Sequence, residues 1–199
     1  KDDDFDILNI WNVDLDMFGA KVQGVIDLAS NERTIEGELQ EIKELWEATK
    51  FSIGRHSWTE GGEKFFLLGD VAKILEHLLA HESLLDTIAK SEYSTHFSKE
   101  ISYWKKTLSK IGDVTQEWMA VQEQWKDLSK AFAIKGFKDS IDNVAGFEDL
   151  NKRYVRIMTE TTKKPTVKDS CLVDGRFDAL STLRKELADR QGVPAYIVF

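Results

Sequence analysis

Two amino acids that restrict or crosslink a chain are scarce in this sequence. Its 199 residues include two prolines, Pro165 and Pro194, and one cysteine, Cys171. The scarcity of proline favours long helices, because proline lacks a backbone donor and clashes with the preceding turn. One cysteine cannot form an internal disulfide, so we expect a reducing compartment.

Long apolar runs and a basic excess are missing as well. No apolar run approaches the roughly 20 residues of a membrane-spanning helix, and no secretory signal pattern opens the chain. The formal net charge of −8 argues against a surface that binds phosphate backbones or anionic membranes. We therefore predict a soluble cytoplasmic protein with no direct nucleic acid partner and no membrane partner. Its 42% hydrophobic and 31% charged residues are typical of a folded domain.

The organisation of the chain follows from its apolar patterns and breaks. We divide it into an N-terminal helical segment (residues 1–50), a glycine-rich extended or hairpin insert (51–68), a central helical bundle (69–160), and a linker with a last helix (161–199). The predicted fold class is all-α, an elongated multi-helix bundle with one small β-hairpin-like insert.

The N-terminal segment carries two apolar stripes at helical spacing. The first consists of Leu15, Phe18, Val22 and Ile26, and the second of Ile35, Leu39, Ile42 and Trp46. A bend or break is predicted at Asn31, between the two stripes. The insert that follows contains Gly54, Gly61 and Gly62 and shows no helical period, which indicates two short extended segments joined by a glycine turn.

The central bundle contains the clearest helical pattern of the chain. Asp70 is predicted to cap a first helix, which carries Leu78, Leu79 and Leu85. Ser94 or Thr95 is predicted to cap a second helix, which carries Phe97 and Trp104. Gly112-Asp113 is predicted to end that helix and cap the next. The stripe beyond it is Val114, Trp118, Val121, Trp125, Leu128 and Phe132. Two tryptophans seven residues apart share one helix face, so we predict that Trp104 and this stripe form the structural core.

The last third of the chain is predicted to contain two more helices. Gly136 breaks the central stripe, a helix runs from about residue 138 to 160, and Thr161–Lys168 forms a linker. The last helix, at about residues 172–191, places four apolar residues on one side. These are Phe177, Leu180, Leu183 and Leu187.

The sequence offers little that would support catalysis or cofactor binding. No P-loop pattern is present, and Gly61-Gly62-Glu63-Lys64 has the wrong spacing for one. His77 and His81, at i and i+4, have the spacing of two metal ligands, but we interpret them as the polar edge of an amphipathic helix. Cys171 has no flanking His motif, so its thiol is expected to be inert. We predict no catalytic residue, no metal site and no cofactor.

Several motifs resemble the linker region of dynein heavy chains, which precedes the AAA+ motor ring. The most specific is WMAVQEQWKDLSKAF at 118–132, and LLDTIAKSEY at 84–93 resembles a second family segment. Phe97 and Trp104 fall where the family has a Phe…Trp pair. Residues 29–46, 147–158 and 171–191 resemble further helices of that region.

Two departures from the family pattern occur. The acidic loop and Leu-Pro expected after Phe132 are missing from residues 133–146, and GVPAYIVF at 192–199 comes too early. Residues 180–199 also resemble the opening of an HRDC domain, the nucleic-acid module of RecQ-type helicases, of which only the first helix would be present. These departures predict a truncated, spliced or fused chain.

The dynein resemblance implies a mechanical, non-catalytic role. A linker is a lever of helical bundles that couples ATP turnover in the ring to movement along microtubules, with the AAA+ ring and tail of the same heavy chain and other dynein subunits as partners. The implied location is cytoplasmic and cytoskeleton-associated, including the ciliary axoneme. Candidate hinges are Gly54, Gly61, Gly62, Gly136 and the linker at 161–168. The alternative is a generic spectrin-like scaffold or adaptor, which predicts long uninterrupted heptads in place of the glycine-rich insert.

Overall fold

The computed structural model describes the backbone of residues 15–135 and 141–191 and the side chains of residues 18–133 and 146–190. Helices dominate this part of the chain, and one two-stranded antiparallel sheet interrupts them. In chain order the elements are α1 (Leu15–Ala48), β1 (Ile53–His56), β2 (Phe65–Leu68), α2 (Ala72–Lys90), a 3-10 helix (Glu92–Phe97), α3 (Ser98–Lys135), α4 (Ile141–Lys163), α5 (Val167–Cys171) and α6 (Arg176–Gln191). The predicted all-α bundle with a small hairpin is confirmed.

Helix α1 continues through Asn31, so the predicted break is wrong. The Asn31 side chain donates a hydrogen bond to the Asp27 carbonyl at 2.7 Å, within the turn that it was expected to end. What changes near Asn31 is the face that carries the apolar residues. A helix turns once in about 3.6 residues, so the step from Ile26 to Ile35 moves the stripe by about half a turn.

Only the second stripe of α1 reaches the core. Ile35, Leu39, Ile42 and Trp46 are at most 5% exposed. In contrast, Phe18, Val22 and Ile26 of the first stripe are 38%, 51% and 54% exposed. The second half of α1 lies against the 3-10 helix and α5, whereas no described element covers the first half.

The insert forms the predicted hairpin. Ile53 pairs with Leu68, and His56 with Phe65, in an antiparallel register. The Gly69 amide donates to the Ser52 carbonyl at 2.7 Å and extends the pairing beyond the strands.

The predicted caps around α2 are only partly correct. The Asp70 carboxylate accepts from the Ala72 amide at 2.9 Å, although Val71 is the residue that flanks the helix. Ser91 caps the 3-10 helix by accepting from the Tyr93 amide, so the prediction of Ser94 or Thr95 as a cap is wrong. Leu79, predicted on the apolar stripe, is 70% exposed because the bundle covers the opposite side of α2.

Helix α3 is the longest element, with 38 residues, and passes without interruption through Gly112 and Asp113. The predicted helix end at this position is therefore wrong. A glycine inside a helix costs about 1 kcal/mol relative to alanine, and burial of neighbouring side chains offsets such a cost. Ile111 and Val114, on either side, are fully buried.

The predicted linker at 161–168 is largely ordered and packed. Helix α4 extends to Lys163, and the buried Thr161 hydroxyl donates to the Ile157 carbonyl at 2.8 Å. The connection beyond it is held against the end of α1. The Phe51 amide donates to the Pro165 carbonyl at 2.8 Å, and the Val167 amide donates to the Thr49 carbonyl at 2.9 Å.

The helix predicted at about residues 172–191 begins slightly later in the structure, at Arg176. Helix α5 ends at Cys171, and α6 begins at Arg176 after Gly175, which has a φ of +70°. Of the four apolar residues predicted on one side of the last helix, Leu180, Leu183 and Leu187 are buried, whereas Phe177 is 40% exposed.

Buried residues from the second half of α1, from the hairpin and from helices α2 to α6 form one hydrophobic cluster. It runs from Ile35 in α1 to Leu187 in α6 and includes the hairpin. The long helix α3 lies at its centre, because it packs against α2, β2, α4, α5 and α6.

Candidate functional site

The tryptophan stripe of α3 lies at the centre of the bundle. Trp104, Trp118, Val121 and Trp125 are at most 2% exposed. Leu128 and Phe132, one and two turns further on, are partly buried and pack against the same core. The stripe therefore becomes more accessible toward the end of α3, where Phe132 stacks on Phe147 of α4 at a centroid distance of 4.3 Å.

Trp125 joins three elements through its ring. It stacks on Tyr154 of α4 at 4.2 Å and meets Phe65 of β2 edge-on at 5.1 Å. Its indole nitrogen donates to the Asn151 side chain at 3.1 Å. Buried aromatic pairs of this kind contribute about 0.5–1.5 kcal/mol beyond their buried area, so this ring fixes α3, α4 and the hairpin relative to one another.

Gln122 is a polar clamp between the hairpin and two helices. Its side-chain oxygen accepts from the Leu68 amide at 2.8 Å and from the Tyr154 hydroxyl at 3.0 Å. Its side-chain nitrogen donates to the Leu68 carbonyl at 2.9 Å, so the amide pairs with β2 as a neighbouring strand would. Burial raises the pKa of Tyr154, which keeps its hydroxyl protonated as a donor.

Gln122 was not predicted, although the sequence contains a signal for it. Trp118, Val121, Gln122 and Trp125 follow the i, i+3, i+4, i+7 spacing of one helix face. A glutamine at an apolar position needs a partner for each polar atom, since burying an unpaired amide costs free energy. Its position in the stripe therefore indicates a structural hydrogen bond, but the sequence does not reveal the partner strand.

Trp118 and Arg176 connect the other end of the stripe to α6. Trp118 meets Phe51 at 5.7 Å, and the Arg176 guanidinium lies 5.5 Å from the indole centroid. The side chain of Arg176 also approaches Glu160 at 3.5 Å. A cation held over an indole in this way adds an electrostatic attraction to the packing.

The candidate hinge glycines occupy different places in the hairpin. Gly54 lies within β1, opposite Leu67, whereas Gly61 and Gly62 lie in the turn. Gly61 has a φ of +73°, and the Gly62 amide donates to the Thr59 carbonyl at 3.0 Å. Gly136 lies outside the described residues. The hinge role of all four glycines stays a prediction.

The histidine pair has a packing role that the sequence did not predict. His81 Nδ1 accepts a hydrogen bond from the buried Trp46 indole at 3.0 Å, and the rings of His77 and His81 stack at 6.4 Å. Burial, and then the charge of His77, lower the pKa of His81. Among the described residues, no three His, Cys, Asp or Glu side chains lie close enough together to hold a metal.

Cys171 is buried at the end of α5, 3.8 Å from the Thr115 hydroxyl. Burial raises the pKa of its thiol to about 12. The reactive thiolate is therefore scarce near neutral pH.

Comparison with known protein families shows the family to which the chain is related. The family described as "Dynein heavy chain, N-terminal region 2" matches residues 1–192. The chain belongs to this dynein heavy chain family. The match includes the tryptophan stripe and the hairpin, and it extends into the stretch at 180–199 that also resembles an HRDC opening.

Individual dynein heavy chains are similar over most of the sequence. Human dynein axonemal heavy chain 10 is 29% identical over 185 residues, which cover 92% of this chain. The dynein-1-alpha heavy chain of the flagellar inner arm I1 complex of Chlamydomonas reinhardtii is 27% identical over 188 residues, again 92% of this chain. Human dynein axonemal heavy chain 17 is 26% identical over 186 residues. The matched region spans about 4% of the length of each of these three relatives.

The described helices show no membrane-spanning candidate. None of them combines sufficient length with a sufficiently apolar run to cross a bilayer.

Proposed function

We propose that this part of a dynein heavy chain is a non-catalytic mechanical lever. It would couple ATP turnover in the motor ring to movement of the motor along microtubules. The proposal rests on the family relationship and on one structural observation, the locked arrangement around α3. Its partners would be the AAA+ ring and the tail of the same heavy chain, together with other dynein subunits, in the cytoskeleton or the ciliary axoneme.

The arrangement around α3 suits the transmission of force. A lever needs elements that do not slide past one another under load. Trp125 and Gln122 join α3 to both α4 and the hairpin, while Trp118 joins it to α6 through Arg176. Close-packed interiors transmit strain because side chains have few alternative positions.

Bending would be confined to places where this packing ends. Gln122 ties β2 to the core, so flexing at Gly61 and Gly62 would move the hairpin tip and leave its base in place. Gly136 lies outside the described residues, and we keep it as a candidate hinge on the sequence alone.

A direct test uses a full-length heavy chain that contains this sequence. Replacing residues 98–135 with a flexible glycine-serine linker should preserve ATP turnover and abolish microtubule gliding, because the ring would hydrolyse ATP without moving the tail. The milder Gln122→Leu variant should slow gliding while turnover changes little. Both quantities would be measured on the same purified motor, with Gln116→Ala, an exposed neighbour on α3, as the control.

Two different experimental results would contradict the proposal. Normal gliding after replacement of α3 would show that the segment transmits no force. Loss of ATP turnover in the Gln122→Leu motor, with gliding lost in parallel, would show that the segment participates in the catalytic cycle.

A further inference from the structure

An aromatic groove opens where the hairpin, the end of α3 and α4 meet. Its volume is about 290 Å³, and the side chains around it include Trp58, Phe65, Trp125, Phe132 and Phe147. Trp58 packs on Phe65 at 4.8 Å, while Phe132 and Phe147 stack at 4.3 Å. The first pair comes from the hairpin, and the second joins α3 to α4. The groove is therefore built by three elements and does not follow from any single helix.

The charged side chains among the described lining residues of the groove are all acidic. Glu63 and Glu148 line it and are exposed, and none of its described lining residues is Lys, Arg or His. The neutral side chains of Ser129 and Asn151 already accept hydrogen bonds from the indoles of Trp58 and Trp125, at 2.7 Å and 3.1 Å.

This composition excludes some ligands and favours others. An anion would find no cation in the described lining and would be repelled by two carboxylates. A cation would find aromatic rings, whose quadrupole attracts positive charge, together with two carboxylates. The volume of the groove lies just below the range for small-molecule pockets, about 300–1,000 Å³. A groove of this size suits one extended side chain.

We propose that this groove binds an arginine or lysine side chain presented by a basic segment of a partner protein. The stem of such a side chain would lie among the aromatic rings of the groove, and its charged head would approach Glu63 and Glu148. A basic partner also complements the chain as a whole, whose net charge is −8. The binding site does not depend on the lever role.

Butylguanidinium is a suitable first probe, because it reproduces the end of an arginine side chain, and butylurea is its neutral analogue. The six tryptophan indole N–H signals of the 199-residue chain would be followed by NMR during titration with each compound. We expect saturable shifts of the Trp58 and Trp125 signals with butylguanidinium only. The buried Trp46 and Trp104 signals, from outside the groove, serve as internal references.

Charge-neutralising variants test the carboxylates without disturbing the fold. Glu63→Gln combined with Glu148→Gln should weaken butylguanidinium binding at least about threefold, because two negative charges near the bound cation are lost. The matched control combines Glu76→Gln with Glu100→Gln, two exposed positions outside the groove, and should bind as the unmodified chain does. An arginine-bearing helical peptide should bind more tightly than the same peptide with norleucine at that position.

Three results would overturn the proposal. Equal shifts with butylurea would show an apolar groove without preference for a cation. Equal weakening by both double variants would show a general effect of net charge. A peptide that binds equally well with norleucine would show that the groove does not recognise the charge of a partner.

Discussion

The two longest helices in the described part of the chain, α1 and α3, have similar apolar patterns and different surroundings. Helix α3 is buried along its stripe from Ile101 to Trp125, with other elements on several sides. Helix α1 is buried from Ile35 to Trp46, whereas Phe18 to Leu28 are exposed. The difference shows that periodicity predicts which face of a helix is apolar, but burial requires another element within reach.

The largest effect is expected from the centre of α3. Trp118→Ala should lower the free energy of unfolding by about 3–5 kcal/mol, because it removes a fully buried ring that contacts Phe51 and Arg176. Urea denaturation, followed by circular dichroism, would measure the change. Gln116→Ala, an exposed change in the same helix, should stay within about 0.5 kcal/mol. A loss below about 1 kcal/mol in the tryptophan variant would contradict the placement of α3.

The two halves of α1 can be compared directly by matched truncations. Leu39→Ala should cost about 2–5 kcal/mol, because Leu39 is 1% exposed. Val25→Ala should change the free energy of unfolding by no more than about 0.5 kcal/mol, because Val25 is 65% exposed. The same denaturation experiment measures both variants. Equal losses would mean that the first half of α1 is covered in solution.

The Gln122 clamp should give an intermediate effect. Gln122→Leu keeps the volume but leaves the amide and carbonyl of Leu68 without their partner, at a cost of about 1–3 kcal/mol. Tyr154→Phe removes the hydroxyl that donates to Gln122. In a double-mutant cycle the combined loss should be smaller than the sum of the two losses, because the residues share one network. Strict additivity would contradict the observed contact.

The smallest effect expected is a pH dependence of the free energy of unfolding, caused by His81 of α2 at its contact with Trp46 of α1. Because the pKa of His81 is lowered in the fold, the unfolded chain binds a proton at this residue more readily than the native chain. His81 therefore contributes its full stability above the unfolded pKa of about 6.5, and this contribution falls as the pH drops through that value toward the folded pKa. Protonation of Nδ1 would also remove the acceptor for Trp46.

The pH effect can be isolated by substitution. Denaturant midpoints at pH 7.5 and 5.5 should differ more for the unmodified chain than for His81→Gln. The control is His56→Gln, at an exposed histidine in β1, which should retain the pH dependence of the unmodified chain. An unchanged pH dependence in the His81 variant would contradict this account.

The sequence predicts the element types well and their ends poorly. The hairpin and the stripe from Trp104 to Trp125 follow from local patterns that agree with the tertiary fold. At Gly112 the prediction failed because a glycine inside a helix has a small cost that packing on either side offsets. At Asn31 it failed because the side chain bonds to the Asp27 carbonyl of the same helix, which continues without packing on its N-terminal side. The short connection near Pro165 was also unpredictable, because its hydrogen bonds are made to the distant end of α1.

The candidate site also combines features that the sequence predicts with features that it does not predict. The tryptophans could be assigned to a core from their spacing alone, whereas the partners of Gln122 and the aromatic groove depend on where the hairpin packs. Long-range contacts of this kind join residues that are far apart in the chain, and no local pattern specifies them.

Amide hydrogen exchange of the 199-residue chain tests most directly whether α3 is a rigid axis of the molecule. We expect the slowest exchange, at the rate of global unfolding, from Ile101 to Trp125 in α3 and from Ile35 to Trp46 in α1, and much faster exchange from Phe18 to Leu28. Exchange of the α3 amides as fast as that of the exposed half of α1 would contradict a rigid axis, and the proposed lever would lose its structural support.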